Sequence, residues 1–363
     1  MFFYQILKMM QTSENESKYF KLFGNCVPVS GANRSIICDL YRNDYCYVPN
    51  EFIEFYSLGD SLFQNKISMG EELFQTYYEY VEYLISKDLG FITDTPDEFP
   101  SIDFSWDYPS HITNAIIDLS EDINGNIYGY ENFINGISYL NCHSLVIRVF
   151  NIISENSIIK LLKITQDSRI KSIELFLPSI IFNEVGLENI IIDNKKIVKV
   201  VLFGAKDNST SEVRNVSVFK LKGKLISENS CGIINRSYFN STIEHFTEAL
   251  NFNTCLNRKI SVDSKGLIKN CPASMENYGS IFDEFSLINI LEGTNIKETW
   301  NISKDQIEVC KDCEFRYICM DCRTFIENND NILSKPLKCG YNPYTSIWNN
   351  WEENAALKKN NEM

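Results

Sequence analysis

Four cysteines, Cys310, Cys313, Cys319 and Cys322, lie within thirteen residues, and their spacing restricts the local fold more than any other feature of the chain. The run EVCKDCEFRYICMDCR, residues 308–323, holds two C-x2-C pairs separated by five residues. A zinc ribbon leaves roughly 15–20 residues between its two pairs, because each knuckle must turn back to share one ion. The short gap favours a different solution. In ferredoxin-type runs the last cysteine leaves its neighbours and ligates a second cluster. Two iron–sulfur clusters sharing this run therefore fit the spacing better than one zinc.

The full spacing is Cys255, ten residues, Gly266, four residues, Cys271, a long gap, the C-x2-C-x5-C-x2-C run and a distant Cys339. It resembles the SPASM domain of peptide-modifying radical S-adenosylmethionine enzymes. That resemblance implies two auxiliary [4Fe-4S] clusters. Cys310, Cys313, Cys319 and Cys339 would hold one, and Cys255, Cys271 and Cys322 would supply three ligands to the other. The fourth ligand of the second cluster is not visible in the sequence. The family's commoner run ends C-x3-C, and Cys319-Met-Asp-Cys322 is one residue shorter. Thiolates serve iron and zinc alike, so zinc stays open as the alternative metal.

A chain of 363 residues with 44% apolar content has material for two or three modules. No segment approaches the roughly 20 apolar residues that cross a bilayer, and the opening MFFYQIL has neither a basic start nor a cleavage site. The expectation is a cytoplasmic protein with no membrane contact. In reducing surroundings, clustered cysteines serve better as ligands than as disulfides. The isolated Cys26, Cys38, Cys46, Cys142 and Cys231 read as core thiols, since free cysteine packs as a small apolar residue. A net charge of −14 without a basic stripe opposes nucleic-acid binding. The chain carries neither a Walker loop nor Gly-x-Gly-x-x-Gly, so an ATP-dependent step would need another protein.

Three parts are expected: 1–100, 101–250 and 251–363. In the first, short strands at 35–40 and 45–48 flank a turn at Arg42-Asn-Asp44, and a helix follows over 51–57. A capping box, Ser68-x-x-Glu71, is expected to open a longer helix whose buried stripe is Phe74, Tyr77, Tyr78, Val81, Leu84 and Ile85, with Gly90 as its stop. Strands followed by helices make a winged-helix-like module. The order resembles PqqD-like precursor-recognition modules, which bind a leader peptide as an added strand. A small cap on the central domain explains the pattern equally well. Tyr80 and Tyr83 lie off the buried stripe and are the candidate peptide contacts. Asp94, Pro96, Asp97, Glu98 and Pro100 read as a linker.

In the second part, strands at 115–119, 145–149, 173–177 and 198–202 recur every 25 to 30 residues with helical stretches such as 157–164 between them. The alternation predicts βαβ units and a parallel sheet, an open or partial (β/α) barrel. It resembles the catalytic barrel of radical S-adenosylmethionine proteins without its chemistry. The family's C-x3-C-x2-C motif occurs nowhere in the chain, and the matching loop SEDINGNIYG, residues 120–129, has no cysteine. S-adenosylmethionine is therefore not an expected cofactor. Glu121 and Asp122 stand at a strand's C-terminal end, where barrel active sites lie, although adjacent loop acids are usually solvated. No catalytic residue is assigned, and whether the chain is an enzyme stays open.

The segment IKNCPAS, residues 268–274, together with CEFRY, resembles the SPASM-domain peptide maturases of grasp-with-spasm systems. The fold class implied is α/β: a partial (β/α) barrel of radical-SAM type with an N-terminal winged-helix-like module and a C-terminal cysteine-rich SPASM domain. The resemblance implies a precursor peptide and an ATP-grasp ligase as partners. The first functional expectation is an accessory maturation protein that binds the precursor and presents it to that ligase. The alternative is an iron–sulfur enzyme performing redox or Lewis-acid chemistry on the peptide at the incomplete Cys255, Cys271 and Cys322 site. A third reading makes the metal a folding staple. His245, ten residues before Cys255, reads first as a core or helix-surface histidine and second as a completing ligand. Protein purified without oxygen is expected to carry about eight iron and eight sulfide per chain. One or two zinc without sulfide would reduce the cysteines to a structural role.

Overall fold

The computed structural model describes residues 18–123, 125–225 and 227–352. Its N-terminal part runs β1 (Tyr19–Leu22), β2 (Cys26–Ser30), β3 (Ser35–Asp39), β4 (Asp44–Val48), α1 (Asn50–Ser57), α2 (Leu62–Met69), α3 (Glu71–Ser86) and β5 (Gly90–Thr93). Strands β2, β3 and β4 form an antiparallel sheet in that order, and β1 pairs with β5. All five residues of β3 are buried. On one face Ile37 packs with Phe52, Phe74, Tyr77, Val81 and Leu84 of the helices. On the other, Ile36 and Cys38 pack with Phe315, Ile318 and Cys319, so the cysteine run covers the sheet's second face.

Two expected helix signals move. Ser68 does not cap α3; it lies inside α2 and its hydroxyl donates to the Gln64 carbonyl at 2.9 Å. Ser61 caps α2 by accepting from the Gln64 amide, and Gly70 separates the two helices at φ 77. A serine already in helical backbone cannot take the extended conformation a cap needs. The stop of α3 is Asp88 at φ 54 rather than Gly90. Gly90 opens β5 instead, where a Cβ would stand 2.6 Å from the Lys21 carbonyl oxygen.

The central part runs β6 (Asn114–Leu119), α4 (Ile127–Tyr139), β7 (Ser144–Val149), α5 (Glu155–Gln166), β8 (Ser172–Pro178), α6 (Glu184–Asp193), β9 (Ile197–Phe203), β10 (Ser209–Val213) and β11 (Val216–Leu221). The last part adds α7 (Ile243–Asn251), β12 (Lys259–Val262), β13 (Ile268–Lys269), α8 (Leu287–Gly293), β14 (Tyr341–Asn342) and β15 (Ile347–Trp348). The result is mixed α/β, with one eight-stranded sheet in the order β10-β11-β9-β8-β7-β6-β12-β13. Every neighbouring pair from β11 to β12 is parallel, and only the two outermost pairs are antiparallel. Strands β12 and β13 come from beyond residue 250, so the cysteine-bearing segment also completes the central sheet.

Helix α5 shows why these units form. Ser154 accepts from the Ser157 amide at its start, and Ile158, Leu161, Leu162 and Thr165 return to the core at helical spacing. Strand β8 alternates strictly between buried and half-buried residues, whereas β6 and β7 each end in three consecutive buried residues. Something therefore covers both faces of the sheet at the C-terminal ends of β6 and β7. Among the described residues no helix is long and apolar enough to cross a membrane.

The N-terminal sheet is bound to the cysteine run by polar contacts as well. Arg34 pairs with Glu314 at 2.8 Å, the Tyr341 hydroxyl donates to the same carboxylate, and the Ala32 amide donates to the Asp312 carbonyl at 2.7 Å. A Cβ on Gly31 would stand 2.7 Å from the Glu314 nitrogen. Gly31→Ala is expected to cost about 1–3 kcal/mol through forced displacement of this contact. Urea unfolding measures it, and an unchanged midpoint would show that the two segments separate without cost.

Candidate metal centre

Cys310, Cys313 and Cys319 are presented by tight backbone turns, whereas the Cys322 amide donates to the Asp321 carboxylate at 2.8 Å. Cys310 opens a 3-10 turn over Cys310–Asp312, preceded by Val309 at φ 66, a left-handed conformation that a β-branched residue rarely adopts. The Cys313 amide donates to the Cys310 carbonyl at 3.0 Å and the Cys319 amide to the Phe315 carbonyl at 3.0 Å. Cys339 sits on its own turn, its amide donating to the Pro336 carbonyl at 3.2 Å. The electrostatic neighbours of these thiols sort them into two sets. Cys310, Cys313, Cys319 and Cys339 act on one another. Cys255, Cys271 and Cys322 form the second set.

Asp321 stands at the junction of the two sets. It is buried, pairs with the equally buried Arg323 at 2.8 Å, and accepts from the Asn253 side chain. Lys304 is only 4% exposed, and its ammonium donates to the Met320 carbonyl at 2.7 Å. Burial works to lower the Lys304 pKa, yet Cys319, Asp321 and Cys310 together hold it above the ordinary value. A lysine is almost never buried unless paired with negative charge. Burial raises the thiols too, Cys310 to about 12 and Cys322 to about 11. Such thiols lose their protons only to a strong positive partner, which metal ions are.

The donor chemistry therefore fits iron–sulfur clusters. Thiolates in sets of four hold [4Fe-4S] clusters, and Lys304 offsets the negative charge of the first set. The fit is one of donor type and charge, because among the described residues no three His, Cys, Asp or Glu side chains converge to hold a single ion.

One thiol that the sequence leaves among the core cysteines stands elsewhere. Cys231 is only half-buried, and Cys271 and Arg148 are its electrostatic neighbours. Cys255 in turn feels Cys231. Its polar setting, Glu228-Asn-Ser-Cys-Gly232, was the available signal, since Cys26, Cys38 and Cys46 lie in strands and Cys142 just before one. Cys26, Cys38 and Cys142 are fully buried with pKa values pushed up to about 12 by burial, as core thiols are.

His245 is brought to the first set rather than to Cys255. The Cys319 backbone acts to raise its pKa, its Nε2 is buried without a partner, and burial, then Lys304 and Lys259, push that pKa down to about 4. Glu121 and Asp122 are both exposed. Asp122 accepts from the Ser154 amide at 2.7 Å and the Ser157 hydroxyl at 2.9 Å, so it ties the β6 loop to the start of α5. Tyr80 and Tyr83 are placed apart in role. Tyr80 packs on Phe52 at 5.9 Å between ring centres, whereas Tyr83 is 41% exposed and borders a small cleft with Asp39, Arg42, Tyr45, Cys46 and Lys87. A larger cleft of about 580 Å³ borders Cys271, with Tyr278, Arg323 and Phe325 among its walls.

No protein-family model matches the chain, and no curated protein matches it. Among solved structures it is similar to two crystal structures of Streptococcus suis SuiB, one bound to precursor peptide SuiA and one bound to S-adenosylmethionine. Each is 12% identical with a TM-score of 0.32, over 88% of this chain and 98% or 97% of that chain. A likeness at that TM-score places no residue, and the chemistry above stands on this chain's own side chains.

Lys304→Met tests the charge balance of the first set. The reconstituted variant is expected to have a more negative reduction potential than the parent, because reduction adds negative charge that the ammonium no longer offsets. An unchanged potential would separate Lys304 from the metal.

Proposed function

We propose that this chain is an accessory maturation protein for a ribosomally synthesised peptide, which binds the precursor and presents it to a separate ATP-grasp ligase. The observation that carries the reading is β4. It is an edge strand that pairs with β3 alone among the described residues, in a small sheet fixed against the cysteine run. A peptide adding to such an edge gains main-chain hydrogen bonds, and pockets beside the edge select its side chains. The cleft of about 180 Å³ bordered by Tyr45, Cys46, Tyr83 and Lys87 is such a pocket. Tyr83 is the contact residue in this account, and Tyr80 supports the helix behind it.

The SPASM-type reading gives the seven cysteines to two [4Fe-4S] clusters. When bound, those clusters supply one-electron transfer or cross-link the C-terminal segment. The missing C-x3-C-x2-C motif leaves no thiolates for a radical-initiating cluster, and the missing nucleotide motifs assign ATP chemistry to the partner. Holding precursor and ligase on one body raises the effective concentration of peptide at the ligase without adding chemistry. Ligation of the precursor by purified ligase is expected to be at least about tenfold faster with this chain present. Tyr83→Ala is expected to weaken precursor binding about tenfold, as loss of an aromatic anchor does. Equal ligation rates with and without the chain would remove the proposal.

A second reading, an iron–sulfur enzyme acting on the peptide itself, draws on the cleft beside Cys271. A peptide side chain seated there would lie next to the second set of thiols. Incubation of the reconstituted protein with precursor and reductant should then change the precursor's mass, and an unchanged mass counts against it.

A further inference from the structure

We propose that Cys231 is the fourth protein ligand of the second thiol set, so that Cys231, Cys255, Cys271 and Cys322 make a complete four-thiolate site. The inference rests on the metal reading above and concerns a residue outside the seven-cysteine spacing. The loop that carries Cys231 is fixed to both sets. Lys338, the neighbour of Cys339, donates to the Cys231 carbonyl at 2.7 Å and to the Asn229 carbonyl at 2.6 Å, and its own carbonyl accepts from the Ile234 amide at 3.1 Å. Gly232 then passes directly over Cys322. A Cβ there would stand 3.1 Å from the Cys322 sulfur and 2.9 Å from the Phe325 ring, and φ is +85, so only glycine brings Cys231 this close.

The other side of Cys231 is closed by the central sheet. Arg148 of β7 makes two bonds to Asp118 of β6, both 2.6 Å, and its charge acts on the Cys231 thiol, which donates to the Glu228 carbonyl at 3.2 Å. Both residues of the pair are buried, Asp118 at 0% and Arg148 at 8% exposure. Arg148 is a positioning residue: its charge favours the thiolate, and its bond to Asp118 holds that charge in place. Ligation replaces the Cys231 S–H bond by a sulfur–metal bond and releases one proton to solvent.

The consequence is chemical. A site with four cysteine ligands has no position for substrate, which narrows the second set to electron transfer or structure and removes Lewis-acid catalysis at an open metal.

The test uses the full chain, reconstituted without oxygen. Alkylation followed by mass mapping compares the metal-loaded protein with the same protein after chelation. Cys231 is expected to be protected and released together with Cys255, Cys271 and Cys322, while Cys142, a core thiol, stays protected in both states. Cys231→Ala is expected to lose metal to a chelator at least about tenfold faster, and to alter the spectrum in the same component as Cys255→Ala. Cys142→Ala should leave both unchanged. If Cys231 is alkylated equally with and without metal, and its variant keeps the parent's metal content and spectrum, the inference fails while the metal reading stands. If the parent protein binds no metal under reconstitution, both fail.

Discussion

The carboxylate of Glu314, wholly buried beside Cys313, is the contact on which the arrangement of this chain depends. It belongs to the cysteine run, yet its partners are Arg34 from the N-terminal sheet and Tyr341 from β14. A buried charge with one partner removed is strongly destabilising, so neither segment can leave without exposing or orphaning the carboxylate. Arg34 also stacks on Tyr47 at 3.9 Å, and Tyr45 and Tyr47 both meet Phe315. These rings flank the buried Glu314 carboxylate, while the Arg34 side chain stays 25% exposed.

That contact determines what each surface of the N-terminal sheet is free to do. Its two faces are occupied, one by α1 and α3 and the other by the cysteine run, which is why β3 is buried along its whole length. Only the edges remain. A module tethered by a loose linker would offer its partner many orientations, whereas this one presents β4 in a fixed relation to both thiol sets. Effective concentration depends on such geometry as much as on tether length.

The second thiol set is joined to the central sheet in a comparable way. Asp118 and Arg148 are charged residues in strands that otherwise bury Ile117, Leu119, Ile147 and Val149. Placing an ion pair there costs desolvation that apolar residues would avoid. In the proposed account the pair supplies a fixed positive charge to Cys231 at the ends of β6 and β7. The loop that follows β6 commits Asp122 to the start of α5.

Period and spacing alone determined much of this protein. Alternating apolar strands and helices near residues 115, 145, 173 and 198 specified the parallel sheet, because each unit buries its own face against the next. The Phe74 to Leu84 stripe specified α3 for the same local reason, and the tight cysteine run specified thiols on consecutive turns. The capping box failed because Ser68 and Glu71 satisfied a pattern while Gly70 ended the earlier helix between them. Gly90 was misread because its lack of a side chain serves the close approach of β1, a partner about seventy residues away in sequence. Cys231 was hidden for a similar reason: its neighbours Arg148, Lys338 and Cys271 come from three distant segments. Local pattern records what a residue does to its own backbone. Which thiols face one another, and which charge stands beside them, is decided only when the chain closes.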